Sequence, residues 1–219
     1  EAGGGDQTCG VLEVGPGIGC LTRELCQQAA KVVSVELDPA LPPVLAETMA
    51  GAGNFTLISG DILRLDVPAL VEEHFRGLTP LVCANLPYNV ASPVLKALVE
   101  AKRFRTITVM VQREVALRIA ARPDTRDYGV LSVYMQYHTR PEILFDVPPE
   151  CFLPAPKVTS SVIRCQVRET PAVSPACGEE FFFRTVRGAF ALRRKTLANS
   201  LASAFGELDK AAIGEVIAA

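Results

Sequence analysis

Five short apolar runs alternate with segments of helical periodicity along the first half of the chain, and this alternation limits the possible fold more than any other feature. The runs are rich in Val, Ile and Leu and cover residues 11–14, 32–36, 55–59, 81–84 and 106–111. They are apolar almost throughout, which is typical of strands buried on both faces of a parallel sheet. Strands and helices in alternation therefore predict a doubly wound α/β domain.

The second half of the chain has a different pattern. Residues 131–138 and 158–167 are two stretches rich in β-branched or aromatic residues, with no good helix between them. We therefore predict an antiparallel pair of strands that completes a Rossmann-like, mostly parallel sheet of seven strands. The proline-rich segment 146–157 between these stretches predicts an irregular loop.

Only helical signals follow residue 181, which indicates a change of architecture near Thr170-Pro171. We predict two domains, a sheet domain over residues 1–170 and a small helical domain over residues 171–219. Because the first predicted strand begins close to the first residue, we expect that an N-terminal lead-in is missing. We also expect the helical domain to be incomplete.

The charge balance argues against a protein that attracts nucleic acid through its overall field. With 22 Lys and Arg against 24 Asp and Glu, the formal net charge is −2, so such binding would depend on a local basic cluster. No apolar run is long enough to span a bilayer and the N-terminal residues do not resemble a signal peptide, which predicts a soluble, cytoplasmic protein. The seven cysteines show no CxxC spacing, so we expect neither a structural metal nor a disulfide framework.

A glycine-rich loop follows the first predicted strand. Gly15, Gly17 and Gly19 lie between that strand and a predicted helix, where glycines allow a sharp turn and let a ligand approach backbone amides. The same pattern is also compatible with tight packing of strand and helix. A dinucleotide fingerprint needs glycine where this chain has Cys20, which disfavours NAD and an oxidoreductase.

Two acidic residues stand at the ends of the next two predicted strands. Glu36 ends the second strand and Asp61 follows the third. Since open α/β sheets bind ligands at their carboxyl edge, we expect Glu36 to accept hydrogen bonds from ribose hydroxyls and Asp61 from an adenine amino group. Either acid alone could instead cap the following helix. Together with the glycine loop, they favour a ligand that contains a nucleoside.

The sequence Asn85-Leu86-Pro87-Tyr88 follows the fourth predicted strand, at the same edge. The exocyclic amine of adenine is a weak nucleophile because its lone pair is delocalised into the ring. If the Asn85 side-chain oxygen and the Pro87 carbonyl both accept from this amine, its nitrogen is drawn toward tetrahedral geometry and can attack a methyl sulfonium. Tyr88 would stack on the base, and no metal is needed. The alternative is a simple turn with Tyr88 in the core.

These motifs resemble those of adenine-N6 methyltransferases that use S-adenosylmethionine (SAM), and more narrowly the ribosomal RNA small-subunit adenine dimethyltransferases of KsgA type. The resemblance covers nearly the whole chain, from VLEVGPGIGCLT through NLPYNVASPVL to FFRTVRGAFALRRKTLANSL. It implies a class I SAM-dependent methyltransferase that dimethylates N6 of two adjacent adenines in a hairpin near the 3′ end of small-subunit rRNA, during ribosome biogenesis. The implied partner is small-subunit rRNA in the assembling small ribosomal subunit, with no metal and no membrane, and the enzyme is expected to be a monomer.

The resemblance also assigns residues to the site. The implied catalytic residues are Asn85, Pro87, Tyr88 and Phe152. Phe152 would pack on the opposite face of the target adenine, although a core aromatic would look the same in sequence. The implied SAM-binding residues are Gly15, Gly17, Gly19, Glu36, Leu37, Asp61, Ile62 and Asn85.

A basic cluster in the predicted helical domain is the candidate for RNA contact. If residues 181–205 form one helix, Arg184, Arg187, Arg194 and Lys195 lie on an arc of roughly 100° beside an apolar stripe. Such a cluster is also compatible with an ordinary solvated face. A base-modifying site in the same chain favours contact with phosphates.

Two alternative functions share the predicted fold. The large-subunit adenine methylases that confer macrolide resistance usually carry Asn-Ile-Pro-Tyr where this chain has Asn85-Leu86-Pro87-Tyr88, and they lack the FRTVRGAFALRRKTL pattern. A ribosome-assembly factor could keep the fold as an RNA-binding module without turnover. The intact Asn85, Pro87 and Tyr88 argue against such a loss of chemistry.

Overall fold

The computed structural model describes residues 3–192, 194–206 and 208–218 of the chain. The strands of its sheet are β1 Cys9–Val14, β2 Lys31–Glu36, β3 Phe55–Ser59, β4 Thr79–Asn85, β5 Thr106–Gln112, β6 Thr139–Val147 and β7 Ser160–Val167. The helices are α1 Cys20–Gln28, α2 Leu41–Thr48, α3 Val67–His74, α4 Ala91–Glu100, α5 Arg113–Ala120, α6 Val130–His138, α7 Glu179–Ala191, α8 Leu197–Ala204 and α9 Lys210–Ala218. A short 3₁₀ turn covers Pro149–Cys151.

The seven strands form one sheet in the order β3-β2-β1-β4-β5-β7-β6. Strands β1 to β5 are parallel, whereas β7 runs antiparallel to β5 and β6 runs antiparallel to β7. The predicted Rossmann-like, mostly parallel sheet of seven strands is therefore confirmed. The strand order reverses between β1 and β4, and open α/β sheets bind ligands at the carboxyl edge beside such a switch point.

Burial on both faces explains why the parallel strands are apolar. All six residues of β1 are buried, and Val33, Val82 and Ile107 on the neighbouring strands are fully inaccessible to solvent. Helix α4 packs Leu95 against this core. Each such side chain contributes about 1.5–3 kcal/mol when it is removed from water, so the sheet is a rigid platform for residues at its edge.

The prediction of a strand over residues 131–138 is wrong, because this segment belongs to helix α6. Ser132, Met135 and His138 are buried at helical spacing, and Gly129 N–H donates to Ser132 Oγ at 3.0 Å to fix the helix start. The abundant Val and Tyr residues favoured a strand locally, but packing decided otherwise. An antiparallel pair does complete the sheet, but the partner of β7 is β6, Thr139–Val147, rather than the predicted segment 131–138.

The helices after residue 178 also differ from the expectation of one continuous helix over residues 181–205. Helix α7 ends at Ala191, and Thr196 begins α8 by accepting a hydrogen bond from Asn199 N–H. The two helices cross closely at Gly188, where an added Cβ would lie 2.6 Å from Ala204 Cβ. The apolar stripe expected on a single helix is interrupted, since two of its residues, Phe190 and Leu197, are exposed, whereas Leu201 is buried.

Candidate active site

The residues predicted for the ligand site gather at the carboxyl edge of the sheet. Glu36 ends β2 and Asn85 ends β4, on either side of β1, whose end leads into the glycine loop. Asp61 follows β3 at the same edge. Because parallel strands end on one side of a sheet, residues far apart in sequence meet there.

The three glycines of the loop all adopt left-handed backbone conformations, but for different reasons. Their φ angles are +68° at Gly15, +59° at Gly17 and +89° at Gly19, which strains any other residue. A Cβ on Gly19 would lie 3.2–3.3 Å from three side chains of the α2 region, so this glycine serves packing. Gly17 has no atom within 4 Å of the same position, so its backbone faces open space. The ligand and packing interpretations thus apply to different glycines.

Glu36 is positioned at this loop by its own hydrogen bonds. Its side chain is buried, with Oε1 accepting from Asp38 N–H at 2.9 Å and Oε2 from Gly17 N–H at 3.4 Å. A carboxylate offers about four acceptor sites. The two that these amides leave are suitable for a pair of vicinal hydroxyls. Glu36 is not the cap of α2, which starts after Ala40.

The residues that are candidates for contact with an adenine ring comprise one polar and several apolar side chains. Asp61 is half-buried, and its Oδ1 accepts from Leu63 N–H at 2.9 Å. Leu37, which follows Glu36 in the chain, is 69% exposed. Ile18 of the glycine loop follows Gly17, whose N–H donates to Glu36, and it is 58% exposed. Ile62 is buried. Large apolar side chains exposed next to a buried carboxylate are suitable walls for a purine ring.

Glu13, just before the glycine loop, is a site residue that the sequence reasoning missed. It is 1% exposed, and its Oε2 accepts from Thr22 Oγ1 at 2.7 Å and from Ser34 Oγ at 2.6 Å. These bonds join β1 to α1 and β2 directly beneath the loop. Burial raises the pKa of Glu13, against the opposing effect of the two hydroxyl donors. An acid within an otherwise apolar strand was the available sequence signal.

The raised pKa of Glu13 makes the stability of the fold dependent on pH. The folded protein holds the Glu13 proton more tightly than the unfolded chain does. The resulting stabilisation is fully present below the unfolded-state pKa and is lost as pH rises through the folded-state pKa. We expect the free energy of unfolding of the parent minus that of Glu13→Gln to be smaller at pH 8 than at pH 4. Urea titrations at both pH values measure this, and an unchanged difference contradicts it.

Asn85, Pro87 and Tyr88 form a turn that is anchored by the residue between them. Leu86 is 1% exposed and its N–H donates to Met110 O at 3.1 Å, so the turn is fixed to β5. Asn85 and Pro87 are exposed on the outer side. The Pro87 carbonyl accepts from Val90 N–H at 3.1 Å, which leaves one of its two lone pairs for another donor. A Cβ on Gly15 would lie 3.8 Å from Pro87 Cδ, so the turn and the glycine loop are neighbours.

Tyr88 is held by a partner that the sequence did not indicate. Its hydroxyl lies 2.7 Å from Ser160 Oγ, and Ser160 is a fully buried residue at the start of β7. Ser160 pairs with Gln112 at the carboxyl end of β5, which places the contact at the same edge as Asn85. The core interpretation of Tyr88 fails in part, because the residue is only half-buried.

Phe152 lies in the segment that leads from β6 to Ser160. It follows the 3₁₀ turn, is half-buried, and has no ring contact with another aromatic residue that the structure describes. The loop expected over residues 146–157 is present except at its start, where Asp146 and Val147 belong to β6. The position is compatible with a stacking face at the site, and that role remains a prediction.

The four basic residues predicted to share one helical arc do not do so. Arg184 donates to Ala204 O at 3.1 Å and its guanidinium lies 4.4 Å from the centre of the Phe205 ring, so it joins α7 to the end of α8. Arg187 lines a groove that also contains three acidic residues, Glu100, Glu179 and Glu180, and two basic ones, Lys96 and Arg118. Arg194 and Lys195 are exposed in the turn between α7 and α8. The predicted arc required one unbroken helix. The break at residues 192–196 leaves Arg184 and Arg187 on α7 and Arg194 and Lys195 in the turn that follows it.

This fold, with a glycine loop, a ribose-type carboxylate and an amide-proline-tyrosine turn on one edge, defines a class I SAM-dependent methyltransferase. The family model described as ribosomal RNA adenine dimethylase matches residues 6–217. The chain belongs to the ribosomal RNA adenine dimethylase family.

Similar proteins include two bacterial relatives named ribosomal RNA small subunit methyltransferase A. The one from Alkaliphilus oremlandii is 45% identical over 95% of this chain and 73% of its own length. The one from Lactococcus lactis is 45% identical over 95% of this chain and 71% of its own length.

Two solved structures share the fold at somewhat lower identity. The 23S rRNA methyltransferase ErmE superposes with a TM-score of 0.72 at 29% identity, over 92% of this chain and 78% of its own. A dimethyladenosine transferase from Plasmodium falciparum superposes with a TM-score of 0.74 at 25% identity, over 91% of this chain and 69% of its own.

Within the described residues, no group of three or more His, Cys, Asp or Glu side chains is placed to hold a metal ion. No helix of that part of the chain is long and apolar enough to cross a membrane.

Proposed function

We propose that this enzyme dimethylates N6 of two adjacent adenines in a hairpin near the 3′ end of small-subunit rRNA. The observation that carries the proposal is the Asn85–Tyr88 turn, fixed to β5 and adjacent to the glycine loop. We further propose that the enzyme acts as a monomer in the cytoplasm, on the assembling small subunit.

The choice of the small subunit is supported by sequence rather than by fold. ErmE, a 23S rRNA methyltransferase, shares the fold at 29% identity, so fold alone does not separate the two substrates. Relatives at 45% identity carry the small-subunit name. Leu86 of the motif and the RRKTL segment after α7 favour the same choice.

The residues at the carboxyl edge fit SAM by their chemistry. We propose that Glu36 accepts hydrogen bonds from the ribose hydroxyls and that Asp61 accepts from the adenine amino group. Gly15, Gly17 and Gly19 shape the loop that approaches the methionine part, and Leu37 and the Ile62 backbone border the adenine. When bound there, SAM supplies an electrophilic methyl group on a positively charged sulfur.

The catalytic proposal assigns each group of the turn one task. The target adenine leaves its stack at a cost of a few kcal/mol and enters the pocket. In the first methyl transfer, Asn85 Oδ1 and the free lone pair of the Pro87 carbonyl accept the two hydrogens of the amine, which localises the nitrogen lone pair; in the second transfer one hydrogen remains for these acceptors. Tyr88 and Phe152 stack on the base to hold it in line. The amine proton is lost to water after the methyl group has moved, so no strong base is required.

The deciding experiment uses labelled SAM and two substrates. Immature small ribosomal subunits and large subunits are incubated separately with the 219-residue chain, and the modified nucleoside is identified by mass spectrometry. We expect dimethyladenosine in small-subunit rRNA alone. Label in large-subunit rRNA would instead support the macrolide-resistance type of activity, and label in neither would support a binding factor without turnover.

Glu36→Ala tests the cofactor assignment. Hydrogen bonds to a charged group are worth about 1.5–3 kcal/mol, so the affinity for SAM should fall by about ten- to a hundredfold. Glu36→Gln keeps the volume and one acceptor oxygen and should lose less. Glu47→Ala, an exposed acid on α2, is the matched control. Calorimetric titration with SAM measures all three, and an unchanged affinity for Glu36→Ala removes the residue from the site.

The basic turn between α7 and α8 is the part of the predicted RNA-binding patch that its surroundings support best. Arg194 and Lys195 are exposed there, whereas Arg184 contacts Phe205 and Arg187 shares a groove with acidic and basic side chains. We propose that Arg194 and Lys195 make the main phosphate contacts of this patch, and that Arg184 and Arg187 contribute less.

Charge reversal in this turn should change binding more than chemistry. We expect Arg194→Glu with Lys195→Glu to weaken small-subunit binding and to reduce the salt slope of log K by roughly 1.5, since each phosphate contact contributes about 0.7–0.9. The affinity for SAM should stay the same. Binding measured over a range of salt concentrations tests this, and an unchanged slope would return the turn to an ordinary solvated surface.

A further inference from the structure

A basic cleft lies at the edge of the sheet opposite the candidate active site. Its volume is about 910 Å³, and it is bordered by the amino ends of β4, β5 and β6 and by the chain that follows β7. Five cationic side chains line it: Lys102, Arg103, Arg105, Arg140 and Arg168. Glu169 is the one carboxylate among the lining residues that the structure describes.

This concentration of charge is unusual for a chain with a net charge of −2. The cations come from three separate parts of the sequence, which the pairing of Thr106 with Gln166 and of Arg140 with Gln166 brings together. Like charges that converge in a concave surface repel one another, and the low-dielectric walls focus their field. A polyanion in the cleft would relieve this repulsion.

The cations of the cleft are largely unneutralised by the protein itself. Lys102, Arg103 and Arg140 form no salt bridge with any residue that the structure describes. Arg105 is the exception, because Asp6 lies near enough to feel its charge. These three positively charged side chains are therefore available to an external partner.

Arg168 gives the cleft a fixed wall. Its Nε donates to Gln136 O at 3.2 Å and to Thr139 O at 3.0 Å, which ties the guanidinium to the end of α6 and the start of β6. The two terminal nitrogens are not used in these bonds and can donate outward. A guanidinium held in place by carbonyls loses little entropy when it binds a phosphate.

We propose that this cleft is a second RNA-binding surface, which holds the phosphodiester backbone of the rRNA substrate at a distance from the reacting adenine. The inference rests on the proposed function, because it takes the rRNA as the polyanion. Strand β5 connects the two edges, and the six steps between its seven residues, at about 3.3 Å each, separate them by roughly 20 Å. A folded rRNA in its subunit extends well beyond that distance, so it can contact both edges at once. Phosphate contacts of this kind set register and orientation without reading sequence.

The test compares two variants with the same change in net charge. The cleft variant is Arg103→Glu with Arg140→Glu. The control variant is Arg23→Glu with Lys31→Glu, on α1 and β2, the half of the sheet remote from β5, β7 and β6. Circular dichroism and SAM titration confirm that each variant is folded and binds cofactor.

Binding to immature small subunits is then measured over a range of salt concentrations. We expect the cleft variant to bind at least about tenfold more weakly than the control, and its salt slope to be smaller by roughly 1.4–1.8, as two lost phosphate contacts require. If the parent binds and methylates small subunits but the cleft variant equals the control in affinity and salt slope, the inference is overturned and the proposed function stands. If the parent neither binds nor methylates small subunits, the proposed function fails, and this inference fails with it.

Discussion

Asn85→Ala is expected to slow methyl transfer in a single turnover by about a hundred- to a thousandfold, the usual cost of removing one positioned polar group from a reacting centre. The side chain is exposed at the end of β4, next to a leucine that is 1% exposed and fixes the turn. Alanine therefore removes the acceptor oxygen without disturbing the backbone. Pro87 alone would then accept from the amine, and the nitrogen lone pair would remain delocalised for most of the time.

Two companion variants separate this role from simple loss of structure. Asn85→Asp keeps an acceptor oxygen and should retain more activity than Asn85→Ala. Asn89→Ala changes an exposed amide in the same turn and should behave like the parent. Small-subunit binding should survive in all three, because phosphate contacts elsewhere carry it. Parental rates for Asn85→Ala would show that its side chain does not activate the amine.

The parallel strands could be predicted because their burial leaves a simple signature in the sequence. Most residues on both faces of β1, β2 and β4 are buried, so each strand is a largely apolar run that ends where the sheet ends, although Glu13 interrupts β1 and Ser34 interrupts β2. The first polar residues after such runs are therefore edge residues. This is why the sequence alone predicts that Glu36, Asp61 and Asn85 lie together.

Helix α6 could not be predicted in this way because two signals conflict. Its residues Val130, Val133, Tyr134 and Tyr137 have high strand propensity, while its buried positions repeat at helical spacing. Propensity in short apolar segments is easily overridden by what the segment packs against. Here α6 packs against α7, with Tyr134 and Tyr137 about 5 Å from the ring of Phe183.

Contacts between distant residues were the other part that the sequence did not provide. The Tyr88–Ser160 bond joins residues 72 positions apart, and the basic cleft combines residues from three segments. Neither has a local pattern. The net charge of −2 indicated only that nucleic-acid binding would need a local basic cluster and gave no position for this cleft, because the total hides how the charges are distributed.

Tyr88 offers the second large effect, and Ser160 makes its interpretation specific. Tyr88→Ala removes a stacking platform worth about 1–3 kcal/mol per base, so single-turnover methylation should fall by roughly five- to 150-fold. Tyr88→Phe keeps the ring and should retain most of the activity. It leaves the buried Ser160 hydroxyl without its 2.7 Å partner, which should lower thermal stability more than turnover.

A double-mutant cycle distinguishes positioning of the ring from stability alone. If the hydroxyl–hydroxyl bond orients the ring, Tyr88→Phe and Ser160→Ala should each slow turnover slightly, and the double variant should be no slower than either single variant. Ser160→Thr keeps the hydroxyl and should restore the parental rate if the extra methyl group is tolerated. Single-turnover rates at saturating SAM and the melting temperature are measured for every variant. A Tyr88→Phe enzyme as slow as Tyr88→Ala would show that the phenol hydroxyl takes part in the reaction, and the stacking role proposed for Tyr88 would then be wrong.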